Sequence, residues 1–406
     1  NGGSADNLIL DNGTGKTDFG GAIGNTIALA TLDIQQAGGS GAIDLPQIGQ
    51  TGGTAGVTGA TNIGNVASGQ IKFTSIDTHF GGTTVLKSDA AVGYLFTGTN
   101  PEVKTGTGKI TFNGGSTNSG VVNFANIGTL KVYSGGGDIE FKGSIEGTHA
   151  DKDEVVTLDA GSGVVTVKAI GVTTGNVGSI GIKGTGGVSL GGNLTTQKVA
   201  GVDITGDVTL ASAVTVTTTT ANGTVTFNNK IDGTTDGAED FDIVSGGSGA
   251  VTISDAIGSV KSLKTLDINE GGGTGTISIA NIGTNTGSVK YGVTGNTKIG
   301  NGAGGNLTLA GTIYNTGLVE YEADALAQIK ITGLTPTFKG DSANTDSIKF
   351  VEAPVVLSNG EVTVTTQGAD ISFAAAITGT TAADDVFNGI NCKRARTSAH
   401  KGAACP

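Results

Sequence analysis

The chain has 406 residues, of which 73 are glycine, with five prolines, two cysteines, no methionine and no tryptophan; charged residues make up 14% and the formal net charge is −12. Glycine far above its usual share of about 7%, together with so few large or charged side chains, excludes an ordinary globular core and favours many short strands joined by tight turns. The acidic balance argues against nucleic acid and anionic membrane surfaces as partners, and no apolar run approaches the ~18 residues of a transmembrane helix.

Taken in order, the chain repeats one theme: three to six residues of apolar/polar alternation, closed by Gly, Asn or Asp. It reads NLIL (7–10), TLDI (31–34), GQIKFTSI (69–76), GKITF (108–112), TLKVYS (129–134), GDIEFKGSI (137–145) and GVVTVKAI (163–170). It continues DVTLASAVTVT (207–217), AVTISDAI (250–257), GTISIANI (275–282), NLTLAGTI (306–313), QIKITG (328–333) and EVTVTTQ (361–367). A period of two predicts strands, and helical periodicity is absent almost throughout. The least regular stretches are Gly38–Gly69, Ser88–Gly106 and Pro336–Pro354; the first reads as a loop or a weak coil, and either of the first two could be a loop projecting from the column.

A short frame recurs along this series. Phe227, Ile231, Gly233 and Thr234 are matched by Phe141, Ile145, Gly147 and Thr148, and by Phe373, Ile377, Gly379 and Thr380. Looser copies start at Phe19/Ile23 and Leu309/Ile313, with Asn at the turn. These ten Phe, Leu and Ile residues are the expected repeat core. Ile139–Val167 aligns without a gap on Val225–Ile253, and Phe19–Ile34 aligns on Ile253–Ile268, both ending TLDI. Ungapped repetition of extended, Gly-punctuated units suits a solenoid, in which each coil must sit on the one below. The expectation is an all-β, single-stranded, right-handed parallel β-helix over residues 1–390, with about 21 residues per coil and roughly 17–20 coils. At one strand spacing of ~4.8 Å per coil, that is a rod of roughly 80–95 Å.

Residues 391–406, NCKRARTSAHKGAACP, differ from everything before them. They hold both cysteines, Cys392 and Cys405, both arginines, and no acid. A basic loop closed by a disulfide between the two cysteines is one reading, and a differently evolved or scarred terminus is the other. The opening NGGSADN, without Met, reads as a processed or excised segment.

Chemistry is harder to find. Acidic clusters stand at Asp151/Asp153/Glu154, Glu239/Asp240/Asp242 and Asp384/Asp385, each just after a Gly-Thr turn. Their shared place in the repeat marks them as a solvated loop face, with weak Ca²⁺ binding the most that is expected. His79, His149 and His400 are isolated in sequence, and no metal-ligand spacing links them. No arginine precedes the tail and no GxSxG turn occurs, so neither a lyase-type site nor a nucleophile elbow is expected. Tyr94, Tyr133, Tyr291, Tyr314 and Tyr321 could offer sugar-stacking platforms, but scattered tyrosines of this kind usually pack in strands. No catalytic, cofactor or metal residue is assigned.

The units DFGGAIGNTIALATLDI (18–34), FNNKIDGTTDGAEDFDI (227–243) and FAAAITGTTAADDVF (373–387), with GSGVVTV-type strands between them, resemble passenger repeats of large bacterial exoproteins. These are the autotransporter and filamentous-haemagglutinin-like adhesins, rickettsial surface-antigen passengers among them. The resemblance implies a right-handed β-helix, export to the cell surface or medium, and adhesion to a host receptor or glycan. It also implies a secretion domain and a membrane barrel, for which these residues hold no counterpart, so the export route stays open. The Cys392…Cys405 tail is similar to the terminal disulfide loop of some two-partner secreted adhesins. The alternative reading is a structural subunit that joins further copies of itself end to end in a filament, sheath or surface layer. A polysaccharide-active β-helix enzyme comes third.

Overall fold

In the computed structural model, residues 6–390 are described except for 51–52, 76, 125–127, 149–150, 152, 173–174, 220–221, 271, 286–289, 341–346, 367 and 381–386. Cys392, Cys405, His400, His149 and Asp384/Asp385 lie outside the described residues. Among the described residues there is no helix, and every strand ladder is parallel. The strands stack as a β-solenoid of about 14 turns, roughly 25 residues apart.

The chain divides into two compact units, Asn1–Asp207 and Val208–Pro406. In the first, each coil contributes a strand to three stacks. One runs from Asn7–Leu10 through Thr31–Ile34 and Thr84–Ser88 to Gly187–Leu190; a second includes Ile43–Leu45, Ile71–Phe73, Tyr94–Phe96 and Val122–Phe124. The third carries Asp77–Phe80, Glu102–Thr105, Thr129–Ser134 and Val155–Asp159. The second unit is built likewise, with one stack from Val225–Phe227 to Ile377–Gly379 and another from Val214–Thr218 to Ile371–Phe373. Its third stack runs from Ile231 through the bridges at Ile257 and Ile282 to Ile313–Thr316, and on through Thr337–Gly340 and Val362–Thr365 to Phe387–Ile390.

Alternation in the sequence becomes alternation in burial. Thr129–Ser134 and Asp240–Ser245 bury every second side chain, and the inward residues pile into columns such as Phe227, Ile253, Ile279, Leu309, Ile331 and Leu357. Each Val, Ile, Leu or Phe so buried contributes about 1.5–3 kcal/mol of transfer free energy. Aromatic rings stack at the strand spacing: Phe73 on Phe96 at 4.3 Å, Phe112 on Phe141 at 4.5 Å, and Phe350 on Phe373 at 4.6 Å.

The coil is longer and less regular than 21 residues. Partners in register are as close as 19 residues (Val177↔Thr196) and as far as 32 (Ile282↔Tyr314), because the ladders fix the strands while the corners absorb loops of different length. The 86-residue offset is therefore no whole number of coils. The frame copies do not stack face on face either. In the second unit, Phe227 and Leu309 share one stack, whereas Phe373 lies in the neighbouring one and Ile377 in the stack of Phe227.

Of the ten repeat-core residues, Phe141, Ile145, Phe227, Ile231, Leu309 and Ile23 are buried. Phe19, Ile313 and Phe373 are half-buried and Ile377 is 37% exposed. At Ile313 the frame is off by one residue, and Tyr314 takes the inward place, bridging Ile282. The Ser88–Gly106 stretch is no projecting loop: it holds the strands Tyr94–Phe96 and Glu102–Thr105, with Tyr94 and Phe96 in the core.

The match between Phe19–Ile34 and Ile253–Ile268 extends much further in the structure. Ile23↔Ile48 and Leu29↔Val57 recur as Ile257↔Ile282 and Leu263↔Val293, followed by GVTGATNIGN (56–65) and GVTGNTKIGN (292–301). Gly24 and Gly258 both have positive φ, and a Cβ on either would collide with a backbone carbonyl, that of Gly56 or Gly292. Asn65 and Asn301 tie the next corner in the same way, donating to Gln35 O and Gly39 O in one copy and to Asn269 O and Gly273 O in the other.

Candidate functional site

The acidic loops are only partly solvated. Glu239 and Glu154, expected on the surface, are buried and fold back onto the Gly-Thr turn beside Gly233 and Gly147. Thr234 Oγ1 donates to Glu239, and the backbone N–H of Thr235 lies 3.5 Å from its other oxygen. Glu239 thus closes its turn from within, where its carboxylate meets the turn's N–H and hydroxyl donors. The neighbouring aspartates face outward, as the sequence suggests. Asp240 accepts from Thr265 Oγ1 at 2.6 Å and pairs with Lys264 at 3.1 Å, and these contacts hold it below the ordinary aspartate range. Asp236 is lowered by Lys290, the Ser262 N–H and Lys261.

Asp242 and Asp267 are ladder partners on the outward side of adjacent strands. Burial pushes the Asp242 carboxyl up, and the charges of Asp267 and Asp240 push it further. Burial likewise raises Asp267, opposed by Lys298. The row continues as Lys298, Glu320 and Lys349, where Lys349 pairs with Glu320 at 2.7 Å.

Three of the five tyrosines are in the core rather than on the surface. Tyr94, Tyr314 and Tyr321 are fully buried, and burial pushes their phenols well above the usual tyrosine range. Tyr94 Oη lies 2.7 Å from Leu86 O and accepts from the Asn113 N–H at 3.0 Å. Tyr133 and Tyr291 remain half-buried.

His79, isolated in sequence, is not isolated in space. Its strand Asp77–Phe80 pairs with Glu102–Thr105, with Asp77 opposite Glu102 and His79 opposite Lys104. A donor atom of Asp77, His79 and Glu102 each comes within 4.8 Å of the other two. His79 is 4% exposed, and its Nε2 makes no hydrogen bond and lies 3.8 Å from Glu102 Oε1. Lys104 forms an ion pair with the same Glu102 oxygen and sits 5.9 Å over the Tyr133 ring. Only parallel-coil register could have revealed this trio, because Glu102 is 23 residues from His79 and follows no motif.

One open depression of about 410 Å³ lies over Thr274, Thr276, Asn306, Asp324 and Leu326. Comparison of the chain with protein-family models, with curated proteins and with solved structures gives no match.

Proposed function

We propose that this chain is a non-catalytic, secreted or cell-surface, adhesin-like repeat protein whose coil ladder displays binding loops. The observation that carries the reading is the division of labour at the coil corners. Some corners, as at Gly24/Gly56 and Gly258/Gly292, are pinched until no side chain fits, while others open into exposed polar turns such as 234–238. A rigid ladder with variable loops is the arrangement that supports recognition without a catalytic pocket. The ligand class is a host-cell or surface receptor, or a glycan. The intact chain is expected to bind a restricted set of glycans or cell surfaces and to leave them chemically unchanged; measurable cleavage of any bound polysaccharide overturns the reading.

The second reading, an end-to-end structural subunit, is favoured by one observation. The coils pair in parallel with one another, and a parallel ladder ends in unpaired backbone groups of the kind that template further pairing. Negative-stain images of the purified chain separate the two: discrete particles support the first, continuous fibres the second.

A further inference from the structure

We propose that Asp77, His79 and Glu102 form a binding site for a divalent transition metal of the zinc class. This inference does not depend on the adhesin reading.

Two observations beyond the cluster point to a ligand. The first is the imidazole itself. His79 is buried, turned toward two carboxylates, and its Nε2 has no hydrogen-bond partner. A buried polar atom left unpaired is costly, and an ion accepting the nitrogen lone pair would offset that cost. The second is the equivalent corner in the other long sequence copy. There Asn315 occupies the place of His79: its N–H donates to Ile282 O and its carbonyl accepts from Gly292 N–H, as His79 does with Ile48 and Gly56. Asn315 Nδ2 donates into its own loop, to Thr284 O at 3.1 Å and Asn285 Oδ1 at 2.9 Å. The places of Asp77 and Glu102 are taken by Ile313 and Thr337, which pair with each other in the same register. One copy of the corner thus holds Ile, Asn and Thr at these positions, while the other holds three residues that ligate metals.

The chemistry of the set suits a borderline ion. One imidazole and two carboxylates match the ligand types of zinc, whereas an imidazole is a poor ligand for calcium or magnesium. Bonds of about 2.1 Å in a tetrahedron put donor atoms about 3.4 Å apart, so the 3.8 Å between His79 and Glu102 needs little closing. Lys104 is the competing cation. It must leave the shared Glu102 oxygen, and it keeps the Tyr133 ring as an alternative neighbour.

The test is titration of the full chain with Zn²⁺ by calorimetry, and with Co²⁺ by visible absorption. One equivalent is expected to bind, without a sulfur-to-metal charge-transfer band. His79→Asn, which installs the second copy's residue, is expected to weaken binding by about 100-fold or more. Lys104→Gln, by removing the competitor, is expected to tighten it by up to about fivefold. If His79→Asn fails to keep its β-sheet circular dichroism, Glu102→Gln gives the same reading. Absence of binding, binding unchanged by His79→Asn and Glu102→Gln, a thiolate band that places the ion on the tail cysteines, or saturation by Ca²⁺ alone each overturn the site.

Discussion

At the scale of single residues, two side chains sit in environments that oppose their own chemistry. The Tyr321 hydroxyl is buried with no hydrogen bond, and its ring packs against those of Tyr314, Phe338 and Phe350. Tyr321→Phe removes the unpaired group and keeps the ring, so urea unfolding is expected to show stabilisation by about 1 kcal/mol. Asp242 faces Asp267 across the ladder, and like charges directly opposite destabilise by up to about 1 kcal/mol. Its carboxyl is raised above 3.8 when folded, so the folded state holds the proton more tightly. Stability from this group therefore falls as pH rises through the region just above 3.8, and returns on acidification. Asp242→Asn is expected to stabilise by about 0.5 kcal/mol at pH 7. Melts at pH 3 should show the gain gone, and a gain equal at both pH values would reject the like-charge account.

At the scale of elements, the strands are short and their corners decide where the next one starts. Gly258 has φ near 65° and faces the Gly292 carbonyl, so Gly258→Ala adds both a strained backbone and a collision. The expected loss is about 3 kcal/mol by chemical denaturation. Asn315→Ala should cost about 2 kcal/mol, since the Asn315 amide donates to Thr284 O and to Lys290 O. By contrast, substitutions at Ile313, which is half-buried, should be milder than at Tyr314 beside it. A loss at Ile313 as large as at Tyr314 would restore the frame read from sequence.

At the scale of the whole molecule, each coil in either unit is held by its neighbours through parallel ladders, so cohesion runs between coils and hardly along any one loop. Proteolytic nicking within 234–238 is therefore expected to leave the β-sheet circular dichroism and the melting midpoint nearly unchanged. Early loss of structure on a single nick there would show that the loops, not the ladders, carry the fold.

Period-two alternation, Gly-rich corners and ungapped repetition were enough to determine an all-β solenoid, because an inward apolar column and an outward polar face can be read residue by residue. GVTGATNIGN and GVTGNTKIGN show that the match between Phe19–Ile34 and Ile253–Ile268 was legible further along the chain as well. Coil length was not, since strand register is set by ladder pairing and the corners hide loops of any size. The inward turn of Glu154 and Glu239 was hidden for a related reason: a loop acid reads as solvated until the turn donors that capture it are seen. The meeting of His79 with Asp77 and Glu102 belongs wholly to tertiary structure, because a parallel coil brings together residues that no local spacing connects.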